Sequence, residues 1–309
     1  MSLDTDTSTD IPNTSSGAQM AAVNDIEVCY ETFGSFSDPA VLLVMGFTAQ
    51  MTAWDVEFCE TLAAVGRFVI RFDNRDCGLT TKFDGQTVDM AALMLAQAGA
   101  GEAPPAPYSL SEMSSDGFAL LTHLGIDQAH VVGASMGGMI VQTMAIEHPE
   151  RVLSMTSMWS ATGNPDYFES APEAMVALLS PPPEDRDAFV DSAERGAIWG
   201  SPKYFDLEVA RRKAGETFDR SFYPEGASRQ MAAIGASGDR EAGLAELTVP
   251  TLVIHGMADT LIMPSGGQRT AEVVPGANLM LFSDMGHDLP LPLMPLVVDA
   301  IKSHTTHTL

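Results

Sequence analysis

Ser135 lies in Gly133-Ala134-Ser135-Met136-Gly137, a G-x-S-x-G pentapeptide. It is flanked by the apolar pair Val131-Val132 and by a segment whose apolar positions, Met139, Ile140, Met144 and Ile146, fall mostly on one helical face. A strand hands over to a helix in one sharp turn only where the residues packed beside that turn lack a Cβ. The residue at the apex is then strained, its side chain standing clear of the sheet. Its hydroxyl lies where free helix N–H groups favour a developing negative charge. Such a hydroxyl is a weak nucleophile at neutral pH, so it needs a base, and the base needs a partner that fixes its tautomer. Read alone, the pentapeptide is also an ordinary glycine-rich turn. The flanking pattern and two partners further along the chain favour the chemistry.

Seven histidines are candidates for the base. His304 and His307 are placed in a C-terminal tail, and His123 and His148 near helix ends, where solvated roles suit them. His130 and His255 fall at strand ends, where packing suits them. His287 follows an apolar run, in Asp284-Met285-Gly286-His287, on a loop from which a base could reach the turn. The carboxylate expected to orient it is Asp259, which follows the run Thr251–His255 after a short turn. Asp284 and Asp288 are alternatives, though both are close to His287 in sequence. Asp73 closes an earlier strand and is expected to brace loops. Acyl transfer also needs donors for a tetrahedral oxyanion. The expected donors are the N–H of Met136, directly after the serine, and that of Phe47, after Gly46 on the loop that ends the run Ala40–Met45. Gly46, Thr48, Met158 and Trp159 are expected to line the substrate pocket, with core packing as the plainer role for the large ones. The 19 methionines would make such a pocket pliable.

These side chains require a scaffold of strands whose ends lie together. Continuous apolar runs at Ala40–Met45, Arg67–Phe72 and Val152–Met158, with Thr251–His255 and Asn278–Ser283, read as strands, most of them buried on both faces. Ile26–Phe33 alternates, as a half-exposed edge strand would. Helices are expected through Trp54–Val65, over Ser111–Leu124 with Ser111 as N-cap, over Leu207–Phe218 and over Leu293–Lys302; residues 85–108 read as helix plus loop. Alternating strands and helices predict an α/β fold with a mostly parallel sheet covered by helices on both faces. Residues 161–245 show no strand and are expected to form a helical cap over the sheet's C-terminal edge, where ligands bind in open α/β sheets. The expected organisation is a disordered tail at 1–20, a core of 21–160 and 246–303, the cap at 161–245, and a tail at 304–309.

The chain has 309 residues and a formal charge of −25, from 16 basic and 41 acidic side chains. Such a surface repels nucleic acid and anionic lipid and fits a neutral substrate. The three cysteines match no zinc spacing and imply no disulfide framework. Residues 1–20 lack the basic and apolar regions of a signal peptide, and no apolar run is long enough to span a bilayer. A cytoplasmic location is the expectation. Nothing in the sequence fixes an oligomeric state.

Together, Leu43-Val44-Met45-Gly46-Phe47, Arg71 to Thr80 (RFDNRDCGLT), Val132 to Gly138 (VGASMGG), His255-Gly256-Met257-Ala258-Asp259 and Gly286-His287 resemble the α/β-hydrolase superfamily over about residues 20–303. The similarity is greatest to a bacterial branch of lipases and esterases that includes aclacinomycin methylesterase-like proteins. The chain order Ser135, Asp259, His287 is that of the α/β-hydrolase elbow. The resemblance implies a Ser–His–Asp triad with no metal and no cofactor. Many relatives have His-Gly in the oxyanion loop where this chain has Met45-Gly46; a backbone donor survives that change. The expected activity is that of a serine carboxylesterase hydrolysing neutral or apolar small-molecule esters through an acyl-enzyme on Ser135. A thioesterase or perhydrolase would use the same triad, and a non-catalytic ligand-binding homologue is the remaining alternative.

Overall fold

The computed structural model describes residues 15–97 and 100–306. Its centre is an eight-stranded sheet: β1 (Gln19–Val23), β2 (Ile26–Phe33), β3 (Ala40–Val44), β4 (Phe68–Phe72), β5 (Ala129–Ala134), β6 (Val152–Met158), β7 (Thr251–Gly256) and β8 (Asn278–Phe282). The spatial order is β1-β2-β4-β3-β5-β6-β7-β8. β1 pairs antiparallel with β2, and β2 with β4; every later pairing is parallel.

Eleven α-helices occur among the described residues. The first four are α1 (Val56–Ala64), α2 (Met90–Gln97), α3 (Leu110–His123) and α4 (Met136–Glu147). Between β6 and β7 come α5 (Pro172–Leu179), α6 (Arg186–Asp191), α7 (Leu207–Arg220), α8 (Gly226–Ser237) and α9 (Glu241–Leu244). The chain ends with α10 (Pro264–Val273) and α11 (Met294–Thr306). None of them is long and apolar enough to cross a membrane.

The two-residue period of β3 shows how the layers form. Leu42 and Val44 join one apolar cluster with Leu120 and Leu121 of α3 and Ile140 and Met144 of α4. Val41 and Leu43 join the other, with Phe58 and Leu62 of α1 and Val297 and Ile301 of α11. Successive strand side chains point to opposite faces, so a strand apolar at every position must be covered on both.

Four sequence expectations change. Gln19 and Met20, assigned to the N-terminal tail, already belong to β1; residues 1–14 of that tail lie outside the described residues. β2 is not the edge, because β1 lies outside it, and most of its side chains are buried. The N-cap of α3 is Ser109, not Ser111: its hydroxyl accepts from the Glu112 N–H while the Glu112 carboxylate accepts from the Ser109 N–H. That reciprocal capping box is a stronger signal than a lone serine two residues later. The last helix runs to Thr306, so His304 is helical; His307 lies outside the described residues. The stretch 161–245 contains helices and no strand among the described residues, as expected.

Candidate active site

Ser135 occupies the single residue between β5 and α4, at φ 57° and ψ −121°. Only close backbone packing holds a serine there. A Cβ on Gly133 would stand 2.0 Å from the Gly137 carbonyl oxygen, and one on Gly137 would stand 2.1 Å from that of Val44. The two glycines therefore let β5, α4 and the end of β3 converge on the turn. The Ser135 N–H donates to the Met158 carbonyl at 2.8 Å, and its own carbonyl accepts from Gly138 at 2.8 Å. Met136 begins α4, where the first N–H groups have no partner inside the helix. Gly46 lies against the serine: a Cβ there would be 2.9 Å from the Ser135 Cβ and 3.4 Å from its Oγ. Phe47 is half-buried beyond it, and Thr48 follows at φ +56°.

Asp259 is the fully buried carboxylate after β7. Its Oδ1 accepts the N–H groups of Leu261 at 2.8 Å and Ile262 at 3.0 Å, which folds the turn around it. Its Oδ2 lies 2.7 Å from His287 Nδ1 and 3.4 Å from His255 Nε2. Burial alone would raise this carboxyl's pKa. The charge and hydrogen bond of His287, with those of His255, outweigh burial and bring it down to about 2. A carboxylate only accepts, so Nδ1 of His287 donates to Asp259 and its Nε2 faces away from the acid. His287 is half-buried, and its ring lies 6.3 Å from that of Trp159. Trp159 directly follows Met158, the residue that receives the Ser135 N–H, so Ser135 and His287 flank the same strand end.

Asp284 pairs with Lys203 at the surface. Asp288 turns to Ser201 and accepts both its N–H, at 2.8 Å, and its hydroxyl. Burial raises the Asp288 pKa above the usual carboxylate value. Asp73 braces loops as expected, accepting from Met51 at 2.7 Å and Leu79 at 2.8 Å and pairing with Arg220 of α7. Of the residues expected to line a pocket, Met158 is fully buried in the apolar cluster beneath α1 and α11, so its side chain serves the core. Trp159 is buried at φ +46°, and its indole N–H donates to Met285 Sδ at 3.2 Å. Trp54 stacks on Phe58 in the core. Among the other histidines, buried His130 meets Ser154 Oγ at 2.8 Å, and burial pushes its pKa down to about 4.

Sequence reasoning missed the polar residues that hold the site's loops. The sequence suits His255 to packing, yet its Nε2 is 2.8 Å from the Ile262 carbonyl and also faces Asp259, closing that carboxylate's turn. The helical insertion reaches the histidine loop through residues 199–201. The His287 N–H donates to the Trp199 carbonyl at 2.7 Å, and the Gly286 N–H to Ser201 Oγ at 2.9 Å. Gln230 of α8 accepts the Thr48 N–H at 2.7 Å. The spacing of His255 four residues before Asp259 was a usable signal; Ser201 and Gln230 carry none in their local sequence.

The alpha/beta hydrolase fold family model matches residues 39–198, just over half of the chain. The rhodomycin D methylesterase DauP of Streptomyces sp. (strain C5) is 29% identical over 315 residues, covering 93% of this chain and 97% of that protein. The putative carbamate hydrolase RutD of Pseudomonas savastanoi pv. phaseolicola (strain 1448A / Race 6) is 30% identical over 231 residues, 71% of this chain and 86% of its own. Among solved structures, the enol-lactonase from Burkholderia xenovorans LB400 superposes with a TM-score of 0.71 at 24% identity, over 93% of this chain and 100% of that one. The sheet order, the glycine-lined turn at Ser135 and these similarities converge: the chain is a hydrolase and belongs to the alpha/beta hydrolase fold family.

Proposed function

We propose that the chain is a serine carboxylesterase for neutral or apolar esters, with residues 161–245 acting as a cap over the C-terminal edge of the sheet. The observation that carries this reading is the 2.7 Å bond between Asp259 and His287, at the same sheet edge as the strained Ser135. In this mechanism Ser135 Oγ attacks the ester carbonyl while His287 Nε2 takes its proton. The Met136 and Phe47 N–H groups stabilise the oxyanion. The tetrahedral adduct then collapses, and the alcohol leaves with the proton from His287. Water, activated by the same ring, releases the acid and restores Ser135.

Asp259 stays ionised throughout, because its pKa of about 2 is far below neutrality. It fixes the tautomer and stabilises the imidazolium. A methyl ester on a larger apolar molecule is the substrate class we favour, since the chain's overall similarity to rhodomycin D methylesterases extends to the helical insertion. The net charge of −25 makes an anionic substrate unfavourable. The experiment is covalent labelling with a fluorophosphonate, together with turnover of a series of methyl and p-nitrophenyl esters. Labelling at Ser135, and loss of both labelling and turnover in Ser135→Ala, are expected. Ester turnover that survives in Ser135→Ala sinks the proposal.

A further inference from the structure

Thr48 is a β-branched residue in the left-handed region, a conformation that such residues avoid unless their surroundings hold them there. It follows Phe47, whose N–H the reading above assigns to the oxyanion. The hydrogen bonds around it show how that N–H is aimed. Asn74 Nδ2 donates to the Met45 carbonyl at 2.8 Å, and the Ala49 N–H donates to the Gly46 carbonyl at 3.2 Å. The Thr48 N–H donates to Gln230 Oε1 at 2.7 Å.

A trans peptide unit is planar, with its C=O and N–H pointing in opposite directions, so each bond orients a whole unit. The unit joining Gly46 to Phe47 carries the donor, and its carbonyl is held by Ala49. The unit before it is held by Asn74, and the unit after it by Gln230. The donor is fixed from both sides, and the second fixing point lies on a helix of the insertion.

Gln230 is built for this task. It is fully buried, and its Nε2 donates to the Arg75 carbonyl at 2.9 Å. One end of the amide must accept and the other must donate, so its orientation is determined by its partners. It bridges the loop after β3 and the loop after β4. Its neighbour Arg229 seats α8 on the core through a forked pair with Asp76, at 2.7 and 2.8 Å.

We infer that Gln230 is a positioning residue of the catalytic centre, holding the Phe47–Thr48 peptide so that the preceding N–H faces the oxyanion. The inference rests on the serine-esterase reading. It gives the insertion a second task beyond covering substrate: the oxyanion site is complete only when α8 is seated.

The test uses Gln230→Met, which keeps the side chain's length and removes both polar ends. The readouts are kcat and KM for a p-nitrophenyl ester, the inhibition constant of a phenylboronic acid, and the unfolding temperature. The boronic acid forms a tetrahedral anionic adduct on serine and so reports on the oxyanion site, whereas KM reports mostly on ground-state binding. We expect kcat to fall about 10- to 100-fold with KM within about twofold, and boronate affinity to fall by about the factor lost in kcat/KM. Unchanged kcat, or a KM rise with boronate affinity retained, overturns the inference.

Gln230→Glu, kept protonated by burial, retains an acceptor for the Thr48 N–H and an O–H donor for the Arg75 carbonyl, and should retain several-fold more kcat than Gln230→Met. Equal losses in the two overturn the inference as well. Should Gln230→Met fail to fold, Gln230→Glu decides alone: retention of at least about a tenth of wild-type kcat/KM and boronate affinity is expected, and a larger loss overturns the inference. Fluorophosphonate labelling of the wild-type protein separates the two levels. A labelled wild type with an indifferent Gln230→Met rejects the positioning role only, whereas an unlabelled wild type rejects the esterase reading beneath it.

Discussion

At the residue scale, Asp259 is buried against two imidazoles and two backbone N–H groups at once. Its replacement by asparagine puts an N–H₂ where one of those donors points, or turns the amide so that the other end clashes. In the proposed mechanism the His287 ring then loses its tautomer along with its counter-charge. Asp259→Asn should lower kcat by about 10⁴-fold with the protein still folded, while Asp284→Asn, whose partner is the surface lysine Lys203, should leave it within twofold or so. Ester turnover of the two variants, measured side by side, checks this. As candidates, Ser135, Asp259 and His287 were legible because the proposed chemistry demands particular residue types at the ends of particular strands. Asp288, the alternative carboxylate set aside for its closeness to His287 in sequence, is bound to Ser201 in the structure. Gln230 was illegible because an amide in the middle of a helix looks the same whether it faces solvent or a loop 182 residues away.

At the element scale, the strands that carry the site were readable as apolar runs, and the stretch without strands stood out between them. The strand β1 was not readable: five residues with a single buried side chain leave no pattern, and its place is given by pairing with β2 rather than by its own sequence. The contact of residues 198–201 with the site was hidden for a similar reason. Ile198 offers its carbonyl to Thr260 Oγ1 at 2.7 Å, Trp199 takes the His287 N–H, and Ser201 joins Gly286 to Asp288. This strap ties the loop of the acid to that of the histidine through main-chain groups, which any sequence possesses. The fully buried Ser201 adds a side-chain hydroxyl of the strap's own to these bonds. Ser201→Ala leaves the Gly286 N–H without its acceptor, which should cost about 1–3 kcal/mol of stability and lower kcat several-fold. Chemical denaturation with parallel ester kinetics tests it; an unchanged unfolding midpoint and an unchanged rate would leave the strap without a role.

At the scale of the whole molecule, the fold class followed from the alternation of strands and helices, whereas the antiparallel start of the sheet and the paths of α5 to α9 did not. Helical period says which face of a helix is apolar, not which neighbour covers it. The charge of −25 shapes what can approach the molecule and has no say in this topology. Global stability does feel one local feature, the backbone at Ser135, whose φ of 57° a residue with a Cβ adopts only under constraint. Both Ser135→Ala and Ser135→Gly delete the hydroxyl, yet only glycine relaxes the backbone. After allowance for its greater freedom in the unfolded chain, Ser135→Gly should unfold later than Ser135→Ala by about 0.5–2 kcal/mol in denaturant titrations. A lineage of this protein that stopped handling esters would therefore face no barrier to shedding the serine. A copy of this fold with no use for an alcohol at that apex would stand more firmly with glycine there than with alanine, because only glycine takes up that backbone without strain.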